Sequence, residues 1–274
     1  MRRSVMSKSL NDKSPKISVI MGVYNGQDCI ERAVHSILEQ SFTDFELIII
    51  DDGSSDETPR LLKALADKDA RIKLIRHDNK GLTKSLNIGV NAARGEYIAR
   101  QDADDYALTN RFEIQIARFE AEPDLQLLGG NAIDKHCDGN ICEWGYFDDE
   151  TIMKRAQLCT PFPHSTVMMR ANALKKLGGY DERFITSQDT ELWMRFVKIG
   201  RISMTQEALI ERGVHKGSIS NKRKWRQFRD VLRARLEHYP GSKFYALYFS
   251  LRGLILAYMP QCMIEKLKGL LKKR

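Results

Sequence analysis

Short apolar runs alternate along the first hundred residues with segments whose apolar positions recur every three or four residues. Ile17-Ser18-Val19-Ile20-Met21 predicts a buried strand, ending in the loop signal Gly22-Val23-Tyr24-Asn25-Gly26. Ile30, Ala33, Val34, Ile37 and Leu38 follow at helical spacing. Phe45 to Ile50 predicts the second strand, running into Asp51-Asp52-Gly53. Leu61, Leu62, Leu65 and Ala66 mark a helix, residues 72–75 a third strand, and Leu82, Leu86, Ile88, Gly89 and Ala92 another helix. Residues 96–99 predict a fourth strand. Strands alternating with short helices mean βαβ units and a mainly parallel sheet.

The pattern loosens after Arg111. A helix is expected to about Ala121, and residues 125–128 read as a strand ending at Gly129-Gly130. Residues 131–144 are ambiguous. Helices are expected over 149–158 and 189–199, with a strand over 165–169. From Asn221 the chain turns basic and helical. No internal repeat or low-complexity linker is evident.

Charge changes this picture at one end. The chain of 274 residues carries net charge +8, but residues 222–274 hold 14 Lys/Arg against 3 Asp/Glu. That segment alone is +11, and the rest is about −3. With 42% apolar residues the chain can build one sizeable core. Cysteines at 29, 137, 142, 159 and 262 show no Cys-x-x-Cys spacing, which fits reduced thiols in a cytoplasmic protein. Residues 1–15 are polar and basic, the expectation being a mobile lead-in rather than a secretory signal. The apolar stretch 244–259 is short for a bilayer span and is interrupted by Arg252 and Gly253.

Candidate chemistry is acidic. Asp102-Ala103-Asp104-Asp105 stands at the exit of the fourth strand, where open α/β sheets bind ligands. Such carboxylates repel one another unless a cation sits between them, and hard oxygen donors suit Mg²⁺ or Mn²⁺. The plainer reading is an acidic turn before a helix. Ser54-Ser55-Asp56-Glu57 and Thr186-Ser187-Gln188-Asp189 both resemble helix capping boxes. The first leaves Asp51 and Asp52 unexplained, since they precede it.

Four ordered motifs carry a resemblance: Ser18-Val19-Ile20-Met21-Gly22-Val23-Tyr24-Asn25; Phe45 to Gly53 with Ser54 and Asp56; Asn79-Lys80-Gly81-Leu82 with Ser85, Leu86, Asn87 and Gly89; and Gly95 to Asp105. Together they resemble the family 2 glycosyltransferases over about residues 15–220. The resemblance implies an α/β fold of GT-A type: a Rossmann-like, mainly parallel sheet flanked by helices, with a basic helical C-terminal extension. The catalytic domain would be 16–220, with a nucleotide-binding half at 16–105 and an acceptor half at 106–220. Residues 221–274 would form the basic amphipathic extension.

The resemblance also implies an inverting transfer from a nucleotide-sugar, UDP being preferred on family frequency. Tyr24, Asn25, Asp52, Lys80, Arg100 and Asp102 are then expected at the nucleotide. Asp52 would accept from a ring N–H of uracil, and Arg100 would at minimum pair with a nearby carboxylate. Lys84 is better explained as a surface charge. Mn²⁺ or Mg²⁺ would sit on Asp104 and Asp102, with His215 as a third ligand or phosphate donor. Asp189, in Gln188-Asp189-Thr190-Glu191-Leu192-Trp193, matches the position of the catalytic base. Gln188 departs from the usual Glu and Glu191 from the usual Asp. His164 and Gln188 are expected at the acceptor. The family often carries Arg two residues before His215, whereas here Gly213 stands there and Arg212 comes one step earlier.

Partners follow from the same likeness. They are a nucleotide-sugar donor, a saccharide acceptor carried in one version on polyprenyl diphosphate, and an anionic membrane surface met through 221–274. A homodimer stays open. Nucleic acid is not expected, because the Lys222–Arg229 mix of charge and aromatics accompanies no nucleic-acid motif. The implied setting is bacterial surface-polysaccharide assembly, peripheral on the inner face of the plasma membrane. A non-catalytic nucleotide-sugar binding module and a nucleotidyltransferase are the rival readings. The glycine loop at 22–26 is a poor phosphate loop for the second.

Overall fold

A computed structural model describes residues 14–136, 140–214 and 224–258. The chain runs β1 (Ile17–Val23), α1 (Ile30–Leu38), β2 (Phe45–Asp51), α2 (Thr58–Ala66), β3 (Ile72–Arg76), α3 (Leu82–Ala92) and β4 (Tyr97–Asp102). It continues through β5 (Tyr106–Ala107), α4 (Arg111–Ala121), β6 (Leu125–His136), β7 (Ile141–Glu143) and α5 (Asp149–Arg155). A 3-10 turn (His164–Thr166) leads to β8 (Met168–Arg170), α6 (Ala171–Lys176), α7 (Gln188–Phe196) and β9 (Arg201–Val214). Two helices close the described chain, α8 (Lys224–His238) and α9 (Lys243–Tyr258).

One sheet has the order β3-β2-β1-β4-β8-β6-β9-β5, with β7 on the far part of β6. Its first four strands are parallel, as the alternating pattern predicts. Beyond β4 the sheet is mixed: β8 is antiparallel to both β4 and β6, while β6 and β9 are parallel. Strands β1 and β2 are buried on both faces, which is why they read as apolar runs rather than alternations. Val19, Met21, Leu47 and Ile49 pack beneath α1, α2 and α4. Ile20, Ile48 and Ile50 face α3, α6 and α7.

Several boundaries differ from expectation for stated reasons. Strands β1, β2 and β4 each run one to three residues further, so Asp51 and Asp102 are the last residues of their strands rather than the first of their loops. Glycines 129 and 130 do not end β6. A Cβ at Gly129 would lie 2.4 Å from the Phe162 ring, and one at Gly130 would lie 2.3 Å from Leu209. They are small because side chains press on the strand there, and β6 continues to His136. Helix α6 and the 14-residue β9 had no clear sequence signal. The expected strand at 165–169 is shorter and later, because His164–Thr166 forms the 3-10 turn.

Candidate active site

The parallel register sets the site. Val23 pairs with Asp51 and Gly22 with Asp102, so the three strands end level at one edge. Tyr24, Asp52 and the acidic turn therefore leave from neighbouring points.

The loops at this edge are fastened to one another. Asn25 sits in the left-handed region at φ 51°, and its amide donates to Ser54 Oγ at 2.9 Å. Its own Oδ1 accepts from the Ser55 amide at 2.9 Å, and Gly26 N–H donates to Thr58 Oγ1 at 2.8 Å. Ser54 is thus held by the first loop and α2 starts only at Thr58, so the capping box expected at 54–57 does not form. Buried Asp51 accepts from Ser54 N–H at 2.9 Å and faces Arg76 at 3.2 Å.

Asp52 is buried, and its two oxygens accept the backbone amides of Lys80 and Gly81 at 2.7 and 3.0 Å. His77 stands 3.5 Å away. Each Asp52 oxygen keeps a second lone pair. Gly53 has φ +76°, and a Cβ there would meet Asn79 N at 2.7 Å, so the second loop can lie against the third only with glycine. Tyr24 is 54% exposed, and the Lys80 side chain is also exposed. Lys84 is a surface charge, 4.0 Å from Glu182.

The acidic turn is tightly organised. Arg100 is fully buried and pairs with Asp102, its guanidinium also donating to the Gln101 carbonyl. It therefore faces the turn from beneath. Asp102 accepts from Ser165 Oγ at 2.5 Å. Burial alone would raise the Asp102 carboxyl, but Arg100, His164 and Ser165 hold it below the usual carboxylate range. Asp104 is exposed, and Asp105 is buried beside it. Burial and the neighbouring Asp102 charge push the Asp105 carboxyl up to about 8. Below the turn, buried Arg111 donates to Gln101 Oε1 at 2.7 Å, and Gln101 Nε2 donates to the Asp105 carbonyl at 3.0 Å.

Asp189 lies in the first turn of α7, where unpaired amides favour negative charge. Its Oδ1 accepts from Thr190 N–H at 2.7 Å and its Oδ2 from Thr160 Oγ1 at 3.2 Å. The capping box expected at 186–189 does not form either. Ser187 is left-handed at φ 56° and makes no side-chain cap. Thr186 turns instead to Asp230 of α8, donating its amide at 3.0 Å and its hydroxyl at 2.6 Å. Gln188 is buried at the first position of α7.

One pair of rings joins the acidic turn to the helix start. His164 Nε2 and Tyr180 Oη lie 2.8 Å apart, and the imidazole stands edge-on to buried Trp193 at 5.7 Å. The charges of Asp102 and Asp189 both act on His164, and both act on Tyr180. Burial, helped by Arg100, pulls the imidazole down to about 4, so it is neutral near pH 7. Tyr180 is anchored by Asn87, which donates to its carbonyl and accepts its amide at 2.8 Å each.

The segment holding His164 thus reaches both carboxylates, Ser165 bonding Asp102 and Thr160 bonding Asp189. Asp104 is exposed beside Asp105, and its charge helps to raise that carboxyl. Arg212, whose charge acts on Asp105 and Asp102, is held by Asp134 at 2.8 Å and lies over the Trp144 ring. His215 lies outside the described residues. Sequence reasoning missed Thr160, Tyr180 and Asp230. Each is an ordinary polar residue in its own segment, and only long-range contact gives it a role. Ser165 and Asn87 stood within recognised motifs without an assigned partner.

Among the described residues no three His, Cys, Asp or Glu side chains form a ready-made metal cage. The donors do suit a hard cation of the kind bound through one or two carboxylates and completed by substrate phosphates. Exposed Asp104 and part-exposed Asp102 are oxygen donors, and the crowding that raises Asp105 is what a cation would relieve.

A family model described as Glycosyl transferase family 2 matches residues 18–178. The Bacillus subtilis (strain 168) protein EpsE, named as a glycosyltransferase, is 40% identical over 205 residues, covering 72% of this chain and 73% of that one. Chondroitin synthase of Escherichia coli is 28% identical over 76% of this chain but only 30% of its own length. Among solved structures, S. aureus TarS 1–349 in complex with UDP-GlcNAc superposes with a TM-score of 0.67 at 18% identity, over 89% of this chain and 73% of that one. The Pyrobaculum calidifontis mannosyltransferase PcManGT, in complex with GDP-Man and Mn²⁺, gives 0.64 at 15% identity, over 94% and 80%. At such identities the structural likeness speaks for the GT-A fold. The family match and the relative 40% identical over most of both chains carry the rest: this chain belongs to glycosyltransferase family 2 and is a glycosyltransferase.

Proposed function

We propose that the chain transfers a hexose or N-acetylhexosamine from a UDP-sugar, with inversion, to a saccharide hydroxyl. The acceptor is lipid-linked, of the polyprenyl-diphosphate kind, and the work is done at the inner face of the plasma membrane in surface-polysaccharide assembly. The observation that carries the catalytic part is that one short segment reaches both carboxylates: Thr160 Oγ1 donates to Asp189 at 3.2 Å and Ser165 Oγ donates to Asp102 at 2.5 Å, with His164 between them in sequence.

Asp189 takes the proton of the acceptor hydroxyl as that oxygen attacks the anomeric carbon. The bond from that carbon to the β-phosphate oxygen breaks, and UDP leaves. Thr160 and Thr190 hold the Asp189 carboxylate in place for this. Tyr24 covers a face of the base, and Asp52 keeps lone pairs for a donor group while it braces the third loop. His164, neutral near pH 7, orients an acceptor hydroxyl without competing for its proton. Mn²⁺ or Mg²⁺, held by Asp104 and Asp102 with His215 as a further ligand, would supply the positive charge that the leaving diphosphate requires. The nucleotide-binding half is 16–105, and the acceptor half is 106–220.

The test is UDP release from a panel of UDP-hexoses and UDP-N-acetylhexosamines, with Mn²⁺ and with chelator. Release from one sugar, dependent on metal and accelerated by a lipid-linked saccharide, is expected. Equal release with chelator would remove the metal from the proposal. No release from any UDP-sugar, with release from a GDP- or dTDP-sugar, would overturn the donor.

A further inference from the structure

Helix α9 has one side buried in the protein and, opposite it, an apolar side that is exposed. Ala246 and Ser250 are buried against α8, with Arg235 of α8 donating to Ser250 Oγ at 2.9 Å. On the opposite side Phe244, Tyr248, Leu251 and Ile255 recur at helical spacing, with exposures of 72, 52, 44 and 59%. Nothing among the described residues lies over this stripe. A contiguous apolar surface of this kind marks a contact site.

Charge selects the partner. Arg226 and Arg229 on α8 and Lys243 and Arg252 on α9 are exposed, and residues 222–274 as a whole carry +11. A second copy would bring a like charge against this one. An anionic leaflet complements it, each nearby Lys or Arg adding to the attraction. Tyrosine and phenylalanine in the stripe suit the headgroup boundary. Among the described residues no helix is long and apolar enough to cross a membrane, so α9 would lie in the plane of the surface.

We propose that the outward stripe of α9, flanked on its own helix by exposed Lys243 and Arg252, docks the enzyme on an anionic lipid surface. This deepens the peripheral location proposed above but does not depend on the identity of the donor. The docking hairpin is fastened to the two segments that hold Asp189: Asp230 of α8 takes Thr186, and Arg235 donates to the Leu158 carbonyl at 2.8 Å, two residues from Thr160. The surface that α9 presents is thus tied, through α8, to the segments that hold the base.

The test is co-sedimentation of the full chain with vesicles of phosphatidylcholine alone or with about one third phosphatidylglycerol. Binding to the anionic vesicles, weakened by salt, is expected. Replacing the stripe together (Phe244→Ser, Tyr248→Ser, Leu251→Ser, Ile255→Ser) should reduce it about tenfold or more, with the melting curve retained. Lys243→Gln with Arg252→Gln should lower binding severalfold and flatten its salt dependence. Wild-type binding in the stripe variant would overturn the proposal. So would indifference of the wild type to anionic vesicles, or a wild-type dimer that the stripe substitutions dissolve. A thermal-shift titration with UDP-sugar, run in parallel, separates the two readings. Lost vesicle binding with an intact donor shift confirms the docking surface, and intact vesicle binding without a donor shift strikes the donor while leaving the docking surface supported.

Discussion

The carboxyl edge of the first four strands and the start of α7 are built by opposite means. At the edge, each functional side chain is held by the loops of adjoining βαβ units. Asn25 is locked to Ser54 and Ser55, and Asp52 is locked to the amides of Lys80 and Gly81. At α7, Asp189 is steadied by Thr160, and the residues leading into it are held by Asp230 from a helix beyond the family match at 18–178. The edge is thus finished by the sheet itself, whereas the base waits on segments drawn from the rest of the chain. Donor capture and turnover should accordingly separate under mutation.

The strongest separation is expected at the base. Asp189→Asn should lower kcat by about 10²–10⁴-fold, with the UDP-sugar thermal shift unchanged. Near-wild-type turnover would remove Asp189 from the mechanism. At the edge, Asp52→Ala leaves two amides without acceptors, each worth about 1–3 kcal/mol if it stays buried. Urea unfolding should show a loss of that order, and the donor shift should vanish. An intact donor shift would make Asp52 a brace only.

Asp230→Ala, on α8 and bonded among the described residues only to the approach to α7, should cost roughly tenfold in kcat while the KM for donor holds. Its hydrogen bonds are charge-assisted ones worth about 1.5–3 kcal/mol. A change in donor KM alone would contradict the division of labour. The smallest effect concerns acid. Unfolded, His164 takes up a proton near its ordinary value of 6.5, but in the fold it resists until about 4. Its share of stability is therefore present above about pH 6.5 and is lost as pH falls toward 4. Melting temperatures from pH 8 to 4 should fall less steeply for His164→Gln than for wild type.

What could be read beforehand follows the same divide. Strands β1 to β4 are buried on both faces between helices, so their apolar runs and the intervening helical periodicity were plain. Asp52, Asp102 and Asp104 stood out because acidic residues at the ends of such strands are hard to explain otherwise. The capping-box patterns at Ser54 and Thr186 misled, because local hydrogen bonding lost to longer-range partners: Asn25 in one case, Asp230 in the other. Gly129-Gly130 misled because glycine in a strand also signals the close approach of a side chain, here Phe162. Arg100 was expected at least to meet a carboxylate, and it does, but its burial beneath Asp102 was not visible in one dimension.

By itself the sequence determined the alternating βαβ half, the family, the positions of the acidic residues and the concentration of positive charge after residue 221. These depend on periodicity and on residues near one another along the chain. The tertiary structure alone decided that β8 enters antiparallel beside β4, carrying Ser165 to Asp102 across 63 positions. It also decided that α8 grips the approach to Asp189 and that α9 turns one apolar side outward. The physical reason is that sheet order and helix docking are set by which apolar faces can be buried together. That competition involves the whole chain at once and leaves little trace in any single segment.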